Sequence, residues 1–261
     1  MRIALGVEYD GTRFHGWQLQ DGVRTVQGVV EKALASVADH PLRVHCAGRT
    51  DAGVHAVEQV IHFDTHSQRL PKAWVLGSNA NLPDDVNILW AQEMPDDSFH
   101  ARFSAIGRCY RYFILNRNSR SALLAGRATW VHRPLDVEPM QIAANALLGT
   151  HDFSSYRALG CQAKSPVRTL HRLDVSRRGD LIELRVEANA FLHHMVRNLA
   201  GVLIAIGKGD ADTGWAQDIL EMKDRTRGGV TAPPDGLYFN RVNYPDQFVL
   251  PHIAERHPFT D

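Results

Sequence analysis

Long apolar runs and cysteines are both scarce in this chain of 261 residues. No apolar segment approaches the roughly 18 residues that span a bilayer, and the opening MRIALGVEYDG reaches two acids too early for a signal peptide. The three cysteines (Cys46, Cys109 and Cys161) lie far apart and form no Cys-x-x-Cys pair, which argues against a disulfide framework or a zinc site. We therefore expect a cytoplasmic protein with no membrane partner.

Two familiar catalytic signatures are also absent. The sequence has no Gly-x-Ser-x-Gly elbow for a hydrolase nucleophile. Despite its fourteen histidines it has no His-Glu-x-x-His array, which is the spacing that would hold zinc on one helix face. The pairs His62 with His66 and His193 with His194 therefore do not indicate ligation, and no metal is expected.

Positive charge is carried by arginine rather than lysine. The formal net charge is zero and only five of the 29 basic residues are lysines. The stretch from Phe99 to Leu135 contains no acid and seven arginines: Arg102, Arg108, Arg111, Arg117, Arg120, Arg127 and Arg133. The planar guanidinium fork suits bidentate phosphate contact. The pattern fits a polyanion-binding surface, and it equally fits the solvated faces of an arginine-rich protein.

Hydrophobic periodicity predicts strands and helices in alternation. Residues 2–10 alternate with period two, and a helix is predicted from the N-cap Thr25 to the stop at His40-Pro41. Further strands are predicted at 42–46, 57–63, 86–91, 101–116 and 237–244, a hairpin at 169–190, and helices at 73–78, 137–148, 191–206 and 215–222.

This order predicts an α+β fold with antiparallel sheets, built from ferredoxin-like units. We place an N-terminal half at residues 1–105, a C-terminal half at 106–248 and an extended tail at 249–261.

The segment CAGRTDAGVHA places one carboxylate, Asp51, between Gly48 and Gly53 at the junction of two predicted strands. Such loops present side chains into clefts, but the nearest acid, Glu58, is seven residues away, so the carboxylate pair of a glycosidase is not apparent. A second interpretation is an Asx-turn in which Asp51 accepts from the amide of Gly53. Local chemistry leaves both open.

Two blocks, YDGTRFHGWQLQ (9–20) and AGRTDAGVHA (47–56), together resemble the tRNA pseudouridine synthase A family, and FHARFSAIGRCYRY, NAFLHHMVRN and DGLYF extend the resemblance along the chain. The resemblance implies a pseudouridine synthase fold, with two ferredoxin-like or RRM-like halves meeting at a central active-site cleft. It also implies a homodimer that isomerises uridine at positions 38, 39 and 40 of the tRNA anticodon stem-loop, without a cofactor.

The resemblance also assigns roles to individual residues. Asp51 matches the nucleophile, Tyr110 the tyrosine that contacts the uracil, and Arg197 the arginine that pairs with the nucleophile. Leu237 matches an apolar wall of the uracil pocket, and Arg49 a residue that displaces or stacks on the flipped base. Two rival functions are a glycosylase, in which the same attack ends in hydrolysis, and a non-catalytic tRNA-binding module on the same scaffold.

Overall fold

A computed structural model describes residues 1–251 and 257–259. The chain divides into two compact units, one made of Met1–Ile106 and Tyr238–Asp261 and the other of Gly107–Leu237. Within the described ranges, no helix has both the length and the apolar character needed to cross a membrane.

The described residues form ten strands and five α-helices. In the order of the sequence they are β1 (Arg2–Tyr9), α1 (Val26–Ala38), β2 (His45–Cys46), β3 (His55–Asp64), α2 (Pro71–Asn79), β4 (Val86–Met94), β5 (Gly107–Asn116), β6 (Thr129–Val131), α3 (Val137–Asn145), β7 (Gly149–Asp152), β8 (Val167–Arg178), β9 (Leu181–Ala188), α4 (Met195–Gly207), α5 (Trp215–Met222) and β10 (Leu237–Asn243).

The first unit has the predicted ferredoxin-like arrangement. Its strands lie in the order β4-β1-β3-β2, and β1 is antiparallel to both of its neighbours. The predicted helix from Thr25 is confirmed, because the Thr25 side chain accepts a hydrogen bond from the amide of Gly28 and α1 follows directly. The buried faces of β1 and α1 form the core of this unit.

The last strand, β10, belongs mainly to the first unit, although the sequence assigned residues 106–248 to the second half. The physical reason is a parallel pairing with β3, in which Tyr238 lies opposite His55 and Phe239 opposite Ala56. A connection of this kind links residues far apart in sequence, so local periodicity does not reveal it.

The second unit repeats the order strand, helix, hairpin, helix. Its strands run β5-β9-β8-β7, and the predicted hairpin at Arg178-Gly179-Asp180 joins β8 to β9. Gly179 has a φ of 59° there, which a tight turn requires and which glycine adopts without steric cost. The α+β fold class is therefore confirmed.

Three predicted elements begin later than expected, and one of them is the strand predicted at 42–46, which is observed only as β2 (His45–Cys46). Residues 101–106 alternate like a strand, but Ser104 donates its amide to the carbonyl of His100 at 2.9 Å and closes a turn, so β5 starts at Gly107. Residues 191–194 precede α4 instead of belonging to it, because His194 has a φ of 61°. The short strands β6 and β7 were not predicted.

The cysteines and the tail complete the description. All three cysteines are free thiols; Cys109 is buried, and the other two are half-buried. The predicted tail is described at 249–251 and 257–259, where the carbonyl of Val249 accepts from Gln92 and the Phe259 ring lies 5.9 Å from Tyr238. Residues 252–256 and 260–261 lie outside the described residues.

Candidate active site

Asp51 lies half-buried in the loop between β2 and β3. The amide of Val54 donates to the Asp51 carbonyl at 3.2 Å and closes a turn, and Gly53 supplies a φ of 78°. The amide of Gly53 donates to the carbonyl of Phe14 at 3.3 Å. That amide is the donor an Asx-turn would need, so the main chain, rather than the Asp51 carboxylate, forms the turn.

The segment from Tyr9 to Trp17 supports this loop through its backbone. The amide of Trp17 donates to the Thr50 carbonyl at 3.0 Å. Gly16 has a φ of 85°, and a Cβ added there would lie 2.7 Å from the Thr50 carbonyl oxygen and 3.1 Å from the carbonyl carbon of Asp51. Only glycine allows the two segments to approach this closely. The two motif blocks therefore pack on each other in the first unit.

Buried side chains from β1 and β3 hold the loop from beneath. The hydroxyls of Tyr9 and Thr50 share a hydrogen bond of 2.8 Å. Gln59 accepts from the amide of Gly48 at 3.3 Å and donates to its carbonyl at 2.5 Å. Burial raises the pKa of the Tyr9 phenol, which also hydrogen-bonds Gln59. The three side chains fix residues 48–50 immediately before the carboxylate.

A second set of contacts fixes the chain after the loop. The amide of Gly11 donates to His55 Nδ1 at 3.0 Å, and a Cβ at Gly11 would lie 1.9 Å from the Val54 carbonyl oxygen. Asp10 Oδ1 lies 3.2 Å from the same ring nitrogen, and this contact lowers the pKa of Asp10. Both contacts use Nδ1, which accepts from the Gly11 amide in one ring tautomer and donates to Asp10 in the other. The ring of Tyr238 stacks on the ring of His55, with centroids 4.5 Å apart.

Sequence reasoning gave no role to Tyr9, Gly16, Thr50 or Gln59. The signal available was their position: Tyr9, Gly16 and Thr50 lie inside the two quoted blocks, and Gln59 lies on the following strand. Their contacts join residues up to 41 positions apart, as between Tyr9 and Thr50. Arg49, in contrast, was singled out, and its side chain is exposed in the same loop as Asp51.

Tyr110 and Tyr112 project from the same face of β5 in the second unit, but their surroundings differ. Tyr112 is fully buried, and its hydroxyl donates to the Pro233 carbonyl at 2.8 Å and bonds to Thr129 at 2.6 Å. It is a core tyrosine of the second unit. The ring of Tyr110 is 9% exposed and meets Phe191 edge to face at 5.0 Å.

Arg197 is a half-buried residue of α4 and not a freely solvated one. Its Nε donates to the carbonyl of Ala232 at 2.9 Å, and the amide of Ala232 donates to the carbonyl of Arg197 at 3.0 Å. Leu237, which is 6% exposed, follows a turn in which its amide donates to the Pro234 carbonyl at 2.9 Å. The segment 232–237 thus connects α4 to β5 within the second unit.

The acid-free arginine stretch acquires acidic partners through folding. Arg111 is buried and lies 3.2 Å from Glu183, and Arg133 donates to Asp210 at 2.9 Å. Arg111 is therefore a structural residue, whereas Arg133 remains exposed beside Asp210. Arg102, Arg120 and Arg127 are exposed, so the surface available to a polyanion is smaller than the count of seven suggests.

Comparison with known proteins gives consistent matches. The model of a family described as tRNA pseudouridine synthase matches residues 6–104 and 143–245. Proteins named tRNA pseudouridine synthase A from Methylococcus capsulatus and Nitrosococcus oceani are each 59% identical over 254 residues, covering 97% of this chain and 93% and 98% of theirs. One from Pseudomonas aeruginosa is 57% identical over 96% of this chain and 88% of its own.

Proposed function

The chain belongs to the tRNA pseudouridine synthase family, and from this premise we propose that it modifies uridines 38, 39 and 40 of the anticodon stem-loop. The protein is an isomerase that converts uridine in tRNA to pseudouridine. The observation that carries the proposed site is the Gly-Arg-Thr-Asp loop, held by both motif blocks with Asp51 at its turn. We further propose that the enzyme acts as a cytoplasmic homodimer without cofactor or metal.

The proposed reaction begins when the Asp51 carboxylate attacks the target nucleotide, either at C6 of the base or at C1′ of the ribose. The bond between N1 and C1′ breaks, the uracil rotates and C5 joins C1′, and the bond between Asp51 and the nucleotide breaks so that the carboxylate is regenerated. The proton on C5 leaves and N1 gains one, so the net change is an isomerisation. No water has to be activated, and one carboxylate in a site that excludes water is sufficient.

The other proposed roles follow from the matched motif positions. We assign uracil contact and removal of the C5 proton to Tyr110, orientation of the nucleophile to Arg197, an apolar pocket wall to Leu237, and displacement of the base to Arg49. The local geometry supports these assignments, because Tyr110 is packed against Phe191 and Arg197 is fixed by Ala232. A paired uridine must first leave its stack, which costs a few kcal/mol.

The test is release of label from unmodified tRNA carrying tritium at C5 of uridine. We expect release by the wild-type chain after dialysis against a chelator, and loss of release when uridines 38, 39 and 40 are replaced by cytidine. Release that persists in the substituted tRNA would contradict the positions but not the activity. Free uracil with an abasic site would instead identify a glycosylase.

The buried Tyr9 hydroxyl supplies a second prediction. Tyr9→Phe leaves the Thr50 hydroxyl and Gln59 without this partner, which should cost about 1–2 kcal/mol of unfolding free energy. It should also slow label release about ten-fold under single-turnover conditions with saturating tRNA, because the residues before Asp51 lose a fixed contact.

The matched control for this variant is Tyr156→Phe. The Tyr156 hydroxyl is also buried and donates to the carbonyl of Ala216 at 2.8 Å in the second unit. Both variants should lose comparable stability in urea denaturation, and only Tyr9→Phe should slow the reaction. Equal rates for the two variants would mean that Tyr9 is a structural residue alone.

A further inference from the structure

The turn from Phe99 to Ile106 is anchored by several hydrogen bonds, and it carries one exposed aromatic side chain, Phe103. Phe99 is fully buried and its carbonyl accepts from Arg2 at 2.9 Å. The carbonyl of Ala101 accepts from the Tyr244 hydroxyl at 2.7 Å, and the amide of His100 donates to Ser104 Oγ at 2.9 Å. The backbone that carries residue 103 is therefore fixed on both sides.

Phe103 projects from this turn and is 76% exposed. One neighbour of its ring is the His100 ring, with centroids 4.3 Å apart, and the Arg102 guanidinium lies 5.6 Å from the same centroid. A large apolar side chain held so far out of the core on a rigid turn gains nothing from burial in this chain. Single exposed apolar residues are common on protein surfaces, so the groups around this ring decide what it can contact.

The His100 ring is locked in one orientation. Its Nδ1 accepts from the amides of Arg102 at 3.1 Å and Phe103 at 3.3 Å. The proton of the neutral ring is therefore on Nε2, which is a hydrogen-bond donor. Burial and the nearby His45, Arg2 and Arg102 lower the pKa of His100, so this neutral form prevails at physiological pH.

Two further histidines extend the row of rings. His62 is buried 4.5 Å from His100, and its Nδ1 is likewise fixed by the amide of Ala101 at 3.2 Å. His45 is exposed and stacks on His62 at 5.0 Å. The segment 98–106 contains no acid, and the nearest acids in sequence are Asp96 and Asp97. Aromatic faces, hydrogen-bond donors and positive charge thus occur together on this surface.

We propose that Phe103, His100 and Arg102 form a stacking platform for an unpaired nucleobase of the tRNA substrate. An exposed aromatic face accepts any base by stacking, and arginine beside it contacts the adjoining phosphate. The Arg102 guanidinium beside the ring favours RNA over an acidic or a purely apolar partner. This inference rests on the proposed function, which makes tRNA the substrate.

The test compares tRNA dissociation constants for full-length variants at several salt concentrations. Phe103→Ala and Phe103→Leu should each weaken binding about ten-fold, and Phe103→Tyr should restore it to within about two-fold, because stacking needs a ring and not only apolar area. Arg102→Gln should reduce the slope of log Kd against log salt concentration by about one, which corresponds to one phosphate contact. Phe103→Ala should leave this slope unchanged. Leu70→Ala, at another exposed apolar residue of the first unit, is the control.

Three results would overturn the platform. Phe103→Ala could bind tRNA as wild type does, Phe103→Leu could bind as tightly as wild type, or Phe103→Ala could change the sedimentation of the free protein, which would assign the ring to contact between copies. Label release by the wild-type chain is measured on the same preparations. Wild-type release with unaltered Phe103→Ala binding would refute the platform alone, whereas absence of wild-type release would refute the proposed function.

Discussion

Asp51→Asn is expected to lower the single-turnover rate of C5 label release by at least about 10⁴-fold. The amide side chain has nearly the shape of the carboxylate, but it lacks the charge and the nucleophilic oxygen that the reaction requires. In other covalent enzymes, removal of the nucleophile lowers the catalytic rate on the order of 10⁴- to 10⁶-fold. No other described acid stands in the 47–54 loop.

The loop itself should survive this substitution. Its hydrogen bonds with Phe14, Trp17 and Val54 are made by main-chain atoms, and the side-chain contact beneath it belongs to Thr50. We therefore expect the unfolding free energy to stay within about 0.7 kcal/mol of wild type, which is about three-fold in the equilibrium constant. The dissociation constant for tRNA should also stay within about three-fold of wild type.

A matched control separates loss of charge from loss of catalysis. Asp136→Asn makes the same chemical change at the N-cap of α3, where Asp136 accepts from the amide of Glu138 at 3.0 Å. Asparagine caps helices about as well as aspartate, so this variant should keep full activity. A rate for Asp51→Asn within about ten-fold of wild type would show that another group carries the chemistry.

Local sequence rules predicted those elements whose stabilising contacts are local. The N-cap of α1 and the glycine turn between β8 and β9 both follow from residues within a few positions of each other. The alternation at 101–106 wrongly predicted a strand, because hydrogen bonds from Ser104 and Tyr244 hold a turn there. Tyr244 is 143 residues from its partner Ala101. The parallel pairing of β10 with β3 is likewise a long-range contact.

In the candidate site, too, local sequence rules did not predict the features that depend on long-range contacts. The motif match supplied Asp51, whereas local chemistry allowed an Asx-turn that the structure does not use, since the Gly53 amide bonds to Phe14. What the sequence did not reveal was why the two motif blocks occur together. The answer is steric: Gly16 and Tyr9 of the first block are in contact with Thr50 of the second, and neither block forms the loop alone.

Gly16→Ala should have the second largest effect on catalysis. The new Cβ would lie 2.7 Å from the Thr50 carbonyl oxygen at a φ of 85°, and neither backbone segment can yield without moving Asp51. The left-handed conformation costs alanine roughly 1–2 kcal/mol, and overpacking adds about 1–3 kcal/mol. A displacement of the carboxylate by about 1 Å is enough to slow the reaction on the order of 10²-fold.

Gly22→Ala separates the two causes at a turn just after the first motif block. Gly22 has a φ of 77°, but an added Cβ would have no atom within 4 Å. Gly22→Ala should therefore lose only the conformational part, about 1–2 kcal/mol of unfolding free energy in urea denaturation, and release label at nearly the wild-type rate. Gly16→Ala should lose more stability and about 10²-fold in single-turnover rate. If the two variants were equally active, close packing of the blocks would not be what positions Asp51.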